Sequence, residues 1–404
     1  MVLRIDNRTR KKWRFFCLIF PHIRPSSVTA LSHTLTILYN YASILSFFIV
    51  LTLMVLRPKK KNIFNSLLIL TVLMEGWLAI TTLTHGTENL VSIIFSFISS
   101  VSIPLIIYYY SDEYLNELLS ALFMNLEWLI HVSLLSILLY YPNGMYISGT
   151  KAQYFLGNEN TIIFYVIPAL FLSFLHLRKR KRVLRSLALV FSCLANEVIV
   201  WCATGLFGIF MAVLVVFLSL KRKKQLSYYV ILAGVLTADI MVSVVRMFDR
   251  LEIVSYIIQN WLGKEITLSG RTFIWDIAVM LIRDNLLSGL GRGNHVYLWG
   301  RDFHAHNEYF ELLLNGGIPL LILFLLSLFV LGSRFEKRNT FSGVMALAML
   351  TCLFTVFIAT STLRWMLYVP LILAYYNTQI EATMETERGS YDLRPYGTRH
   401  RLEA

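Results

Sequence analysis

Seven Lys or Arg residues and three His fall between positions 246 and 306: Arg246, Arg250, Lys264, Arg271, Arg283, Arg292, Arg301, His295, His304 and His306. Arginine presents a rigid fork of donors that suits phosphate oxygens, and it stays charged at any working pH. Histidine changes charge close to neutrality and is the natural general base there. A stretch with both can bind an anion such as a pyrophosphate and move a proton beside it. The competing reading is a solvated loop in which Asp249, Asp276, Asp284 and Asp302 neutralise the arginines. His306 likewise serves either as a base or only as a contact at the start of the following helix. No metal set stands out, since His304 and His306 are two residues apart and no Asp-x-Asp lies nearby. Gly289-Leu-Gly-Arg-Gly293 has the look of a phosphate-binding loop, yet it follows no strand and opens no helix.

The rest of the chain must hold this stretch in place. Of its 404 residues 56% are hydrophobic and 15% charged, with a mean hydropathy of +0.62, whereas a soluble domain carries charge on about a quarter of its residues. Apolar runs fall near 33–56, 63–84, 90–110, 116–141, 160–177, 186–203, 204–220, 225–245, 317–333, 340–360 and 364–378. Runs of about twenty apolar residues without alternation are membrane-crossing helices. The expected fold is therefore an all-α polytopic membrane protein with about 11–12 transmembrane helices. The net charge of +13 does not point to nucleic acid. It is concentrated in short clusters between spans: Arg57 to Lys61, Arg178 to Arg182, Lys221 to Lys224 and Arg334 to Arg338. Cytoplasmic loops retain such clusters, so the segments 85–89, 142–159, 246–316 and 361–363 face outward and the tail after Thr378 faces inward. An odd span count would leave the basic N-terminus outside. Phe15 to Pro25, together with the residues next in the chain, is therefore read as an extra short, proline-broken span, or alternatively as an interfacial helix. The four cysteines lie in apolar runs and read as small buried hydrophobes.

This divides the chain into an N-terminal membrane bundle (1–245), a large, partly helical extracytoplasmic loop (246–316), three C-terminal spans (317–378) and a cytoplasmic tail (379–404). Loops that long are usually functional. Within it, Ser269 to Asp284 reads as an amphipathic helix with Ile274, Ala278, Leu281 and Ile282 on one face and Arg271 in its first turn. A second helix begins at Asn307. Glu75, Glu127, His131, Glu197 and Asp239 lie inside apolar runs, where charge is costly. They form either interhelical polar contacts or a transporter's proton relay, which would make the chain a flippase or solute transporter. No internal repeat of the kind many transporters carry is visible.

Ser269-Gly-Arg271, Trp275, Gly289-Leu-Gly291, His304-Ala-His306-Asn-Glu-Tyr-Phe-Glu311 and Gly316-Gly-Ile318 occur in this order. The series resembles the signature of the O-antigen ligase and Wzy-type polysaccharide polymerase superfamily. Phe15 to Pro25 and Phe155-Leu-Gly-Asn-Glu-Asn160 are similar to segments of capsular and exopolysaccharide repeat-unit polymerases. The resemblance implies a glycosyltransferase of the bacterial inner membrane acting on undecaprenyl-diphosphate-linked glycan, inverting and without a metal or other cofactor. Arg271 would hold the donor diphosphate and His306 would deprotonate or orient the acceptor hydroxyl. Arg292, Arg301, Trp275, His304 and Asn307 would contact diphosphate or glycan, and Glu308 or Glu311 would assist. A repeat-unit flippase and a chain-length regulator are the partners that such polymerases imply. O-antigen ligases carry an arginine on an earlier span, where this chain has Trp201-Cys-Ala-Thr-Gly-Leu-Phe-Gly208. That absence favours polymerase over ligase.

Overall fold

The computed structural model describes residues 6–57, 65–149, 151–180, 182–246, 271–335, 340–361 and 365–392. Among these residues the chain forms 14 helices and two short antiparallel hairpins. It is an all-α polytopic membrane protein.

The N-terminal helix α1 (Asn7–Ile19) carries the basic cluster and buries Phe15 and Ile19. Its thirteen residues rise about 20 Å, short of the roughly 30 Å a span needs. The extra span expected near Phe15 to Pro25 is not a continuous helix: a 3-10 turn at Phe20–His22 and the short α2 (Ser26–Leu31) come after α1. Among the described residues, six helices are long and apolar enough to cross a membrane. They are α3 (His33–Leu56), α4 (Ser66–His85), α5 (Leu90–Tyr140), α6 (Glu159–Arg178), α8 (Ala203–Arg222) and α11 (Glu308–Gly332). The 51-residue α5 joins two of the expected runs across a break at Tyr114. Shorter apolar helices are α9 (Tyr228–Asp239, continued by a π turn to Val244), α12 (Phe341–Phe357) and α13 (Trp365–Tyr375). Helix α7 (Val183–Ile199) runs between α6 and α8, and α14 (Asn377–Asp392) ends the described chain. Leu45, Val55, Phe217, Leu220 and Phe329 are exposed on the long helices, as befits a surface that faces lipid.

The segment between α9 and α11 has a core of its own. The expected amphipathic helix is present as α10 (Arg271–Asp284), and it buries Ile274, Trp275, Ala278 and Ile282 against Val296, Ala305, Phe310 and Leu314. After α10, the strands β3 (Val296–Leu298) and β4 (Arg301–Phe303) form a hairpin. Before α6, the strands β1 (Tyr146–Ser148) and β2 (Lys151–Gln153) form another, with Ser148 opposite Lys151. Residues 247–270, which include Arg250, Lys264 and Ser269-Gly270, lie outside the described residues.

The glycine-rich turn has a structural job. Helix α11 is broken at Gly317, whose φ of 65° and ψ of −163° are not helical, and Pro319 lacks the N–H that would bond four residues back. The break leaves carbonyls of α11 without helical partners, and such groups must be satisfied elsewhere. The turn supplies them: Leu290 N donates to Leu314 O (2.6 Å), and Gly291 N donates to Asn315 O (3.0 Å). Ile318 N donates back to Leu286 O (2.8 Å), and Trp77 Nε1 of α4 donates to Gly316 O (2.7 Å). A Cβ on Gly289 would stand 2.5 Å from Gly316 N, so only glycine permits this approach. The turn is a clasp on the broken helix.

Candidate functional site

His306 sits immediately before α11, and its neighbours explain why it is fixed there. Asn307 is fully buried and caps α11, accepting from Phe310 N at 3.0 Å. Its Nδ2 donates to Asp239 Oδ1 of α9 at 2.6 Å and to Ile358 O, just past α12, at 3.3 Å. One turn into α11, Glu311 accepts from Ala305 N at 2.9 Å and from Asn315 Nδ2 at 3.3 Å. His304 Nδ1 lies 3.2 Å from the same carboxylate. On the other side, Trp275 of α10 is buried and donates through Nε1 to Ala305 O at 2.9 Å. The turn 304–307 is thus held by α9, α10, α11 and the end of α12. His306 itself takes a left-handed φ of 51°, a conformation that non-glycine residues rarely adopt and that persists where surrounding contacts impose it.

His306 and His304 open onto a cavity of about 620 Å³, a size typical of ligand sites. Arg292 and Asn294 share its wall with them. The opposite wall comes from the segment before and at the start of α6: Lys151, Asn158, Asn160 and Thr161. Ser26, Ser96, Thr360 and Ser361 add hydroxyls. Glu88 and Glu311 line it too, so the cavity is polar with charges of both signs and suits a ligand that presents hydroxyls beside an anionic group near Lys151.

Burial pushes the His306 imidazole down to about 3, helped by the positive fields of Arg271, His304 and Lys151. The ring is therefore neutral at ordinary pH. Arg271 opens α10 and is half-buried. Burial lowers its pKa from the ordinary arginine value, while the Glu159 carboxylate lies in electrostatic range and favours its charge, with Cys202 also nearby. Glu159, the first residue of α6, also forms an ion pair with Lys151 at 2.5 Å. Arg271, His306, Lys151 and Glu159 thus make one electrostatic cluster, of which His306 and Lys151 line the cavity and Arg271 and Glu159 stand behind them.

The remaining candidates are distributed differently. Arg292 is in the cavity wall, but its guanidinium pairs with the buried Glu75 of α4, which also accepts from Tyr368 Oη at 2.7 Å. Its backbone N donates to Thr82 Oγ1 at 3.1 Å. Arg246 donates to Thr272 O at 3.0 Å and pairs with Asp276, tying α10 to the end of α9. Two of the loop's arginines are therefore engaged in protein contacts. Arg301 is exposed on β4, outside the cavity wall. Trp275 and Asn307, expected to touch substrate, are buried and act by positioning the turn, and Glu308 is buried too. The other intramembrane charges have protein neighbours: Glu127 pairs with Arg185, His131 Nδ1 lies 2.9 Å from Ser192 Oγ, and Glu197 is buried beside Cys202. The first two are interhelical contacts between α5 and α7.

Sequence reasoning placed 142–159 on the outer face and marked Phe155 to Asn160 by resemblance, but gave Lys151, Asn158 and Asn160 no role at the site. The available signal was a lone lysine on a segment assigned to the outer face, where basic residues are uncommon.

Residues 154–325 match the family model described as O-antigen ligase. No curated protein and no solved structure matches the chain.

Proposed function

We propose that this chain, whose residues 154–325 match the O-antigen ligase family, is a polymerase that joins lipid-linked glycan repeats at the outer face of the bacterial inner membrane. The observation that carries the reading is a neutral His306 that lines a hydroxyl-rich cavity and lies in the field of Arg271. The donor is a glycan on undecaprenyl diphosphate and the acceptor is a sugar hydroxyl. In the reaction the acceptor oxygen attacks the anomeric carbon, the bond from that carbon to the diphosphate oxygen breaks, and the configuration inverts. Undecaprenyl diphosphate leaves with the bonding electron pair. Arg271 offsets the charge that builds on it, as a preorganised cation does best in a partly dry site. His306 takes the hydroxyl proton. The field of the incoming diphosphate opposes those of Arg271, His304 and Lys151, so donor binding raises the basicity of His306 when it is needed.

A ligase, which moves finished polymer from the same carrier to lipid A core, would use the same chemistry on another acceptor, and the matched family description supports it equally. The stretch Trp201 to Gly208 favours the polymerase, because it places Cys202, and no arginine, in electrostatic range of Arg271. Transport is disfavoured by the neighbour contacts of Glu127, His131 and Asp239. Deletion of the gene separates the readings. Loss of a polymerase leaves single-repeat products, and loss of a ligase leaves full-length chains on the carrier. Normal polysaccharide in the deletion strain would overturn both.

A further inference from the structure

The cluster at the cavity's edge has a member outside the matched segment 154–325. Lys151 is carried by β2, whose hairpin is docked firmly. Met145 N donates to Gln153 O at 2.7 Å, Phe155 N to Ser136 Oγ at 3.1 Å, and Ser27 N to Phe155 O at 3.2 Å. Lys151 lines the cavity with its side chain about two-fifths exposed, and its charge is felt at His306. Its partner Glu159 opens α6, where a carboxylate is favoured by the helix dipole, and the same carboxylate acts on Arg271. Within this cluster one carboxylate therefore serves two cations, while Glu311, which also lines the cavity with Glu88, is engaged by His304, Ala305 N and Asn315.

We propose that Lys151 is a second ligand of the donor diphosphate, and that Glu159 stands in the anion's place between Lys151 and Arg271 until the donor arrives. This rests on the reading that the cavity takes a polyprenyl-diphosphate donor. A dianion attracts both cations more strongly than one carboxylate does, so it draws Lys151 away from Glu159. The lysine supplies a mobile point charge where Arg271 supplies a fixed fork. Glu159 also keeps the empty site from holding two uncompensated cations.

The test is equilibrium binding of undecaprenyl diphosphate to the full-length chain in detergent, and then donor kinetics. Lys151→Ala should weaken binding by at least about tenfold, the scale of one charge-assisted hydrogen bond. Lys151→Arg should restore most of it. Glu159→Gln should bind about threefold or more tightly, because a competitor for the cations is removed. In turnover, Lys151→Ala should raise KM for the donor more than it lowers kcat. If Lys151 only braces the hairpin through Glu159, then Glu159→Gln and Lys151→Ala weaken binding alike, and the assignment is wrong. It is also wrong if correctly folded Lys151→Ala protein, matched to wild type in thermal melting, binds as wild type does. If wild-type protein does not bind undecaprenyl diphosphate, the donor reading itself fails and takes this one with it.

Discussion

The two hairpins of this protein have opposite relations to its sequence motifs. The hairpin β3–β4 lies amid the motif-bearing residues, between the Gly289-x-Gly291 turn and His304, and carries Arg301. Yet its outer residues Tyr297, Trp299 and Arg301 are exposed, and none of them lines the cavity. The hairpin β1–β2 lies ahead of the motif residues, in a segment that the sequence marks only as facing outward, and places Lys151 in the cavity wall. The difference is one of docking. Hydrogen bonds through Phe155 and Leu156 to Ser136 and α2 fix the β1–β2 segment against the bundle, whereas β3–β4 rests on α10 through Val296. Proximity in sequence to a motif is a weaker guide to a site than the element against which a segment packs.

That comparison can be broken by substitution. The largest expected effect is at the proposed diphosphate site: Arg271→Ala should lower turnover of a polyprenyl-diphosphate-linked glycan by about 10²–10³-fold, the range for losing a preorganised charge contact. Arg301→Ala, removing the same side chain from the outlying hairpin, should change it by less than about twofold, as exposed substitutions do. Comparable losses for Lys151→Ala on β2 and Arg301→Ala on β4 would erase the distinction between the hairpins.

An intermediate effect is expected at the clasp. A Cβ on Gly317 would stand 2.6 Å from Leu286 O in a left-handed backbone conformation. Gly317→Ala should therefore cost about 1–3 kcal/mol, seen as a lower thermal midpoint in detergent, and should loosen the turn around His306. An unchanged midpoint would mean that the break in α11 does not depend on this glycine.

The smallest effect is in the pH profile. A base must be neutral, and burial together with the neighbouring cations holds the His306 imidazole at about 3. Its neutral form therefore persists as pH falls well below 6.5, and kcat/KM should show no acid limb from this ring near 6–7. In the donor complex the diphosphate opposes those cations and raises the pKa, so the acid limb of kcat should lie at higher pH than that of kcat/KM. Coincident limbs would argue against any interaction between the diphosphate and the ring.

Much of the architecture was legible in the sequence because its signals are local. The apolar runs became helices at nearly the expected bounds, and the period of Ile274, Ala278 and Ile282 marked the buried face of α10. The site was only partly legible. Arg271 and His306 are 35 positions apart in sequence, and their electrostatic contact is made by the small core that packs α10 on α11. The pairing of Arg292 with Glu75 spans 217 positions, so composition could identify each as anomalous without matching them. Gly289 and Gly291 looked like a phosphate cradle because close backbone approach requires glycine whatever the approaching group. Here that group is the carbonyl edge of a broken helix.

The clasp also bears on how the protein can move. Leu286, Leu290 and Gly291 are joined to α11 by three main-chain bonds, so the stretch that leads into His306 is laced to a membrane helix as an extra strand is laced to a sheet edge. Swinging it aside as a gate would break all three bonds at once. On the proposed function, traffic of a long lipid-borne substrate then falls to the other walls of the cavity, and His306 and the helix behind it travel as a single rigid part.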